Sequence, residues 1–266
     1  MSTDSFKINQ HADRGENIIQ IGSQTVYEGL SPVDACKLAI DLFNQNFPKL
    51  QEQAKDLVLS RVDELMEDVA KKLIENKIKD MSPFADPDVQ YAIYEAQKSY
   101  ARFGTSEMLS TLSNLIAKRI EHNDDNMGLK VAIDKAIEIS GALSTKHLDY
   151  LSLLFFVSRA EVNTIRTIDN LKSFLDNLVS SFSEADITDT SYLNMLGCLQ
   201  LFLFDAEEIL SKTYGFSKDQ VKAICPESIH KLSGDYSTSH VGTILAIVHL
   251  KTKMSVICDP KIWIHD

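Results

Sequence analysis

One stretch of the sequence runs for about 30 residues without a proline or a glycine, between Pro48 and Pro83. At 1.5 Å per residue, a helix of that length is about 45 Å long. Acidic residues and lysines fill one side, so we interpret it as a packed helix with a solvated face. A coiled-coil-like oligomerisation arm is the alternative, although strict heptads are absent. The apolar residues recur at the three- and four-residue steps of a helix face: Leu50, Leu57, Val58, Val62, Leu65, Val69, Leu73 and Ile78.

The rest of the chain after residue 31 also shows helix start and stop signals. Ser31 followed by Pro32 predicts a helix start, and Pro48 predicts that the chain restarts there as a new helix. Asp86 followed by Pro87 predicts a further start, and Gly104 predicts its end. More helical segments follow: "TSEMLSTLSNLIAKRIEH", "LKVAIDKAIEISGAL", "STKHLDYLSLLFFVSRA", "TIRTIDNLKSFLDNLVSSF" and "SYLNMLGCLQLFLFDAEEILSKTYG".

The first 30 residues are the exception to this helical pattern. "ENIIQIGSQTVYE" is rich in β-branched residues and predicts a strand or hairpin, while "SVICDPKIWIHD" predicts a short extended C-terminal tail. We therefore predict a mainly α fold, a multi-helix array or bundle with a short N-terminal β segment. The expected division is a β segment 1–30, a helical domain 31–183 and a C-terminal helical subdomain 184–266. The strand residues are Ile18, Ile19, Ile21, Val26 and Tyr27.

The net charge and the cysteines indicate which partners and which cellular compartment to expect. A net charge of −11 and a pI near 5.1 argue against nucleic-acid binding. The N-terminus lacks a secretion signal and no apolar run could span a bilayer, so we expect a cytoplasmic protein with no membrane contact. The four cysteines are far apart in sequence and are expected to be reduced thiols.

Motifs with a defined chemistry are missing from the sequence. There is no phosphate-binding loop, no dinucleotide-binding glycine pattern, no zinc-protease motif and no serine-hydrolase elbow. His240, His249, Cys258 and His265 could be imagined as zinc ligands, but their spacing fits no zinc site. We expect His249 to be a hydrogen-bonded, half-buried side chain, and we expect neither a metal nor a cofactor. Cys225 has no basic neighbour that would make it a nucleophile.

The densest polar stretch lies in the predicted helix 87–103. Its three- and four-residue steps bring Asp88, Tyr91, Glu95 and Arg102 near one face. These four residues form a candidate polar site or contact surface. The alternative is an ordinary amphipathic helix with a surface pair between Glu95 and Lys98, which we favour.

A second local pattern is the turn "STSH" before an apolar helix. Its hydroxyls could bind an anion at the helix N-terminus, but helix capping explains them and is favoured. Gly242, early in that helix, predicts close packing against another backbone.

Four sequence segments resemble a family of hypothetical bacterial proteins of the LPO/Vpar type: "ENIIQIG", "LFNQNFPKL", "FADPDVQYAIYEAQKSYARFG" and "DPKIWI". The resemblance covers most of the chain and implies no catalytic residues. The element "NIIQIG" is also similar to one in proteins of bacterial conflict and anti-phage systems, which implies a defence or stress context.

These observations favour a non-catalytic interaction protein that assembles through its N-terminal strand into a homo-oligomer or onto a partner protein. An enzyme or nucleic-acid-directed effector that uses Asp88 and Glu95 is one alternative. A small-ligand sensor with a pocket between the helical halves is another. The aromatic residues expected in that pocket are Phe155, Phe156, Phe202 and Phe204.

Overall fold

The computed structural model describes residues 32–123, 126–185 and 190–264. The chain divides into two compact units, residues 1–52 and residues 53–266. The predicted strand residues Ile18, Ile19, Ile21, Val26 and Tyr27 lie outside the described residues, and the predicted division at residues 30 and 183 stays a prediction.

The described residues contain eleven α-helices and two β-strands, which confirms a mainly helical fold. The helices are α1 (Pro32–Glu75), α2 (Pro87–Phe103), α3 (Ser106–Glu121), α4 (Met127–Ile139), α5 (Thr145–Arg159), α6 (Ile168–Ser181), α7 (Thr190–Met195), α8 (Ala206–Tyr214), α9 (Lys218–Ile224), α10 (Glu227–His230) and α11 (His240–Met254). The strands are β1 (Leu199–Phe204) and β2 (Gly234–Thr238), which pair in antiparallel fashion. Short 3-10 turns occur at Ser82–Ala85, Ser140–Ala142 and Pro260–Ile262.

Helix α1 is longer than the sequence predicts. It runs for 44 residues with Pro48 inside it, so the predicted restart at Pro48 is wrong. An interior proline costs about 3 kcal/mol because it removes one backbone N–H and crowds the preceding turn. Pro48 is exposed, so water can hydrogen-bond the carbonyl that its missing N–H leaves free.

The core of the second unit centres on α3, α5 and α11. Every residue from Thr111 to Ile120 in α3 is buried, as is every residue from Gly242 to Leu250 in α11. Helix α11 packs against α5, α4 and α3. Helix α1 adds a narrow stripe to this core, formed by Leu65, Val69 and Leu73 at successive four-residue steps. A helix that is buried on all sides needs neighbours all around it, which explains the central position of α11.

The two strands and the C-terminal segment differ from the sequence prediction. Residues 199–204 were expected to be helical, but α7 ends before Gly197, whose φ is 76°, and the chain continues as β1. The run "LQLFLF" has no polar side with helical spacing, so it suits a strand once β2 is available to pair with it. The segment "KIWI" is not a strand, because Pro260–Ile262 form a 3-10 turn.

The ends of α2 lie where the sequence signals predict them. An arginine that is distant in sequence also hydrogen-bonds the C-terminal end of α2. The Asp86 side chain accepts a hydrogen bond from the Asp88 backbone N–H, and Gly104 ends the helix in the left-handed region at φ 61°. Arg61 of α1 donates from Nη1 to the Ala101 carbonyl at 2.7 Å. A charged donor on carbonyls at a helix C-terminus also interacts favourably with the helix dipole.

We expect Gly104→Ala to lower the free energy of unfolding by about 2 kcal/mol. Part of this loss is the left-handed backbone, which costs a residue with a Cβ about 1–2 kcal/mol. The rest arises because a Cβ at Gly104 would lie 2.2 Å from Arg61 Nε and would displace the guanidinium. The measurement is urea-induced unfolding of the variant and of wild type.

Gly215→Ala is the matched control, because Gly215 has φ 73° and open space around it. Only the backbone cost should appear there. Equal losses in both variants would show that Arg61 does not contribute. An Arg61→Ala background should likewise reduce the effect of Gly104→Ala.

In the described part of the chain, no helix is long and apolar enough to cross a membrane.

Candidate functional site

Strands β1 and β2 form a two-stranded ribbon, and β1 exposes large apolar side chains to water. Leu199 pairs with Thr238, Gln200 with Ser237 and Leu201 with Tyr236, and the register shifts between Leu201 and Phe204. Leu201 and Leu203 are each 78% exposed, and Phe202 is 48% exposed. The register shift lies within this stretch, so the strict alternation of strand faces does not hold there. Leu201, Phe202 and Leu203 form an apolar row, three successive large apolar side chains exposed to water.

The inner end of the ribbon is held firmly by polar contacts to the helical core. Arg159 of α5 donates from Nε to the Ser237 hydroxyl at 3.1 Å and from Nη2 to the Thr238 carbonyl at 2.9 Å. Partial burial lowers the pKa of Arg159. The Ser239 backbone N–H donates to the Cys198 carbonyl at 2.9 Å. The exposed outer end therefore projects from a fixed base.

Helix capping explains Ser239, the serine in the turn that precedes α11. The Ser239 hydroxyl accepts a hydrogen bond from the Gly242 backbone N–H at 3.2 Å and donates to the Gly197 carbonyl at 2.6 Å. The Thr238 and Thr243 hydroxyls are 2.9 Å apart. The predicted close packing at Gly242 is confirmed, since a Cβ there would lie 2.1 Å from the Cys198 carbonyl oxygen.

The polar face predicted on α2 is brought together only in part. Tyr91, Glu95 and Arg102 line a shallow groove of about 510 Å³. The other lining residues are Lys98, Ser99, Phe103, Glu138, Gly141 and Ala142. Glu95 is buried, and Lys98 Nζ lies 2.6 Å from its Oε2, so the predicted surface pair forms. The hydrogen bond from Lys98 to Glu95 raises the pKa of Lys98. The paired Glu95 has a structural explanation that needs no reaction.

Asp88 does not line that groove. It lies in the first turn of α2 and contributes to the field around Asp134 of α4. Asp134 accepts a hydrogen bond from Nε of the fully buried Arg119 at 2.8 Å, and Arg119 Nη1 donates to Asn123 at the same distance. Burial raises the pKa of Asp134. This network joins α3 to α4, and it could not be predicted because Arg119 has the sequence position of a surface arginine near a helix end.

A second buried polar pair links α5 to α11. Asp149 is fully buried, and its Oδ1 lies 2.6 Å from Nε2 of the buried His249. The Glu184 backbone N–H donates to Asp149 Oδ2 at 3.3 Å, and the Phe182 ring lies 5.7 Å from the His249 ring. The expectation that His249 is hydrogen-bonded is confirmed, and it is more deeply buried than predicted.

The four phenylalanines predicted to line a ligand pocket lie in separate places. Phe155 packs edge-on against Trp263, and Phe156 packs against Phe174, both in the core. Phe202 and Phe204 contact each other on the ribbon. The four rings therefore do not line one closed pocket.

Metal ligands and reactive thiols were also considered from the sequence. Within the described ranges, no group of three or more His, Cys, Asp or Glu side chains could hold a metal ion, and His265 lies outside those ranges. Cys198, Cys225 and Cys258 are free thiols. Burial raises the pKa of Cys198 and of Cys225 to about 12, which keeps both protonated at neutral pH. A protonated thiol is a poor nucleophile.

Comparison with known proteins gives a family and no activity. No curated protein matches the chain, and no solved structure does either. A protein-family model that names no activity matches residues 29–239. The match covers the chain from the start of α1 to the end of β2, which includes the ribbon and the α2 groove. The chain therefore belongs to this uncharacterised family.

Proposed function

We propose that this protein is a non-catalytic interaction protein that self-associates through the free edge of β1. The observation that carries the proposal is the apolar row of Leu201, Phe202 and Leu203 on a strand with one open edge. Within the described residues, the sheet has only two strands, so β1 pairs on one side with β2 and has no strand on the other. An open strand edge offers unpaired N–H and C=O groups to another chain.

The composition of β1 supports association over solvation. Soluble proteins protect an edge strand with a charged residue, a proline or a β-bulge. Of these, residues 199–204 have only the register shift between Leu201 and Phe204, with no charge and no proline, and the flanking Asp205 is used as the N-cap of α8. Burying Leu201 and Leu203 against a partner would remove apolar area from water at about 25 cal/mol per Å².

A second copy of the chain is the occupant that this strand fits best. In a two-fold arrangement β1 lies antiparallel to itself, and each copy contributes the same patch. The net charge of −11 makes copies repel one another in general. Since β1 itself carries no charge, self-pairing brings no like charges directly opposite each other on the strands.

The wider setting belongs to the same proposal. The N-terminal segment with Ile18, Ile19, Ile21, Val26 and Tyr27 stays a predicted second association device. Three free cysteines suit a reducing compartment such as the cytoplasm. The sequence resemblance to the LPO/Vpar type, and that of "NIIQIG" to anti-phage proteins, supports a bacterial defence or stress role. An enzyme built on Asp88 and Glu95 has less support, because only Glu95 lines the groove.

We expect Leu201→Lys with Leu203→Lys to dissociate the oligomer of the full chain. Two charges on the apolar row would oppose each other across a two-fold interface and would have to be desolvated there. Light scattering after size exclusion measures the mass directly. A shift of at least tenfold in the dissociation constant toward the monomer, with unchanged circular dichroism, is the expected result.

Ile74→Lys is the matched control, because Ile74 is 77% exposed on α1, far from β1 in sequence. It introduces the same type of charge at an equally exposed apolar site and should leave the mass unchanged. A monomeric wild-type protein at tens of micromolar, or an equal effect of Ile74→Lys, would refute association through β1.

A further inference from the structure

A pocket of about 480 Å³ lies between the end of α1, α3, α11 and the C-terminal segment, away from the ribbon and the α2 groove. It is within the usual size range of small-ligand sites. Its lining holds three lysines and three carboxylates, so it is less acidic than the chain as a whole, whose net charge is −11. We call it the lysine pocket, and its charged or titratable members are Lys118, Lys251, Lys261, His122, Glu75, Glu121, Asp259 and Cys258.

Lys118 is the residue that sets this pocket apart. It is only 9% exposed, in the middle of the buried face of α3. Among the described residues it has neither a hydrogen bond nor a carboxylate within ion-pair distance. The Lys118 side chain is largely buried, but its Nζ reaches the open space of the pocket, since it is not among the buried side-chain atoms that lack a hydrogen-bond partner. The ammonium group is therefore accessible to an anionic ligand.

The neighbours of Lys118 act on it without forming an ion pair among the described residues. Burial lowers the pKa of Lys118 and the positive charge of Lys251 lowers it further, while Glu121, Asp259 and Cys258 oppose this. Lys251 donates to the Asn76 side-chain oxygen at 2.7 Å, which is a neutral acceptor. Asp259 uses one carboxylate oxygen to accept the Lys261 backbone N–H at 3.0 Å. Lys118 and Lys251 thus line the same space, and neither forms an ion pair with a carboxylate among the described residues.

A second unpartnered atom lies one turn earlier on α3. The side-chain oxygen of Asn114 is buried and has no hydrogen-bond partner among the described residues. It lines an adjoining pocket of about 310 Å³ that shares Glu75, Lys251 and Ile257 with the lysine pocket. A buried acceptor without a donor is costly, so a ligand that extends from one pocket into the other could supply one.

The lining also indicates which chemistry would fit. Two lysine point charges match a doubly charged phosphate better than a singly charged carboxylate. Glu121 and Asp259 would repel a phosphate group, but they can accept hydrogen bonds from hydroxyl groups on the rest of a ligand. The third carboxylate of the lining, Glu75, forms an ion pair with Lys72 at 3.0 Å, which offsets its charge. Ile247 and Pro260 provide apolar contact for a carbon skeleton.

We propose that the lysine pocket binds a small phosphate monoester with a hydroxyl-bearing carbon skeleton, and that the phosphate group lies between the ammonium groups of Lys118 and Lys251. This site is independent of self-association through β1, so either proposal can fail without the other.

Glycerol phosphate is the probe, with glycerol, inorganic phosphate and acetate as comparison compounds at matched ionic strength. We expect glycerol phosphate to raise the thermal midpoint of the full chain with saturation, inorganic phosphate to do so more weakly, and glycerol and acetate to have no effect. In calorimetric titration, Lys118→Met should weaken glycerol phosphate binding at least tenfold. Lys212→Met, a lysine that is exposed on α8, should bind like wild type.

The stability of Lys118→Met without ligand gives an independent reading. Replacing a largely buried lysine that forms no ion pair with an apolar side chain of similar length should raise the thermal midpoint. A structural lysine with an essential partner would give a lower midpoint instead. Where Lys118→Met does not fold, acylation of wild-type lysines followed by mass spectrometry replaces it, and glycerol phosphate should slow the modification of Lys118 but not of Lys212.

Three results would overturn the proposal. They are an unchanged midpoint with both phosphate compounds, an equal effect of acetate, and wild-type affinity in Lys118→Met. An unchanged oligomeric mass in all these variants is expected, because none of the substitutions touches β1.

Discussion

Replacing Gly242 with alanine is expected to lower the free energy of unfolding by about 3 kcal/mol, at the upper end of what overpacking a core usually costs. The added Cβ would lie 2.1 Å from the carbonyl oxygen of Cys198, a backbone atom that no rotamer change can move aside. That carbonyl already accepts the Ser239 N–H at 2.9 Å, so a shift would also strain the cap of α11. The Leu151 side chain, 3.4 Å from the same Cβ, blocks movement of α11 in another direction.

The measurement is thermal unfolding followed by circular dichroism. For a chain of this size, about 3 kcal/mol corresponds to a fall in the midpoint of about 6–12 °C. Gly234→Ala is the matched control, because Gly234 in β2 has open space around it and should tolerate a Cβ. If Gly242→Ala and Gly234→Ala melted at the same temperature, α11 and β1 would not be in close backbone contact.

Local signals explain how much of the fold could be predicted from the sequence. The cap at Asp86 and the stop at Gly104 each depend on the chemistry of a few neighbouring residues. Such local features form regardless of how the rest of the chain packs. Helices α2 to α6 were therefore predicted near their observed positions.

Non-local pairing explains what could not be predicted. The run "LQLFLF" is apolar except for Gln200, so periodicity cannot distinguish a buried helix from a strand. Its strand state depends on β2, which follows about 30 residues later. The prediction at Pro48 failed in the opposite way. Proline is a strong local signal for a helix break, but α1 continues through Pro48 as a single helix.

The same distinction between local and non-local signals applies to the candidate sites. Tyr91, Glu95 and Arg102 share one groove because three- and four-residue steps fix a helix face. Lys118 and Arg119 were missed because a lysine or arginine near the end of an amphipathic helix usually reaches solvent. Only the packing of α4 and α11 around α3 buries them, and no pattern within α3 announces that packing.

Asp149→Leu is expected to lower the free energy of unfolding by about 3–5 kcal/mol, which is typical when one member of a buried polar pair is removed. Asp149 is fully buried between α5 and α11 and accepts two hydrogen bonds, from the His249 ring and from the Glu184 backbone. Without the carboxylate, both donors lose their acceptor in a place that water does not reach. The unsatisfied His249 side chain accounts for most of the loss.

A double-mutant cycle separates this polar explanation from a packing explanation. His249→Leu alone should also be destabilising, because it leaves the Asp149 carboxylate buried with only the Glu184 N–H and the more distant Lys253, 3.7 Å away. The double variant Asp149→Leu with His249→Leu removes both partners and should be more stable than the sum of the single losses predicts, by about 1–3 kcal/mol. Urea titration of the four proteins gives each term. Strictly additive losses would mean that Asp149 and His249 act as independent space-filling residues, and that the link between α5 and α11 is purely apolar.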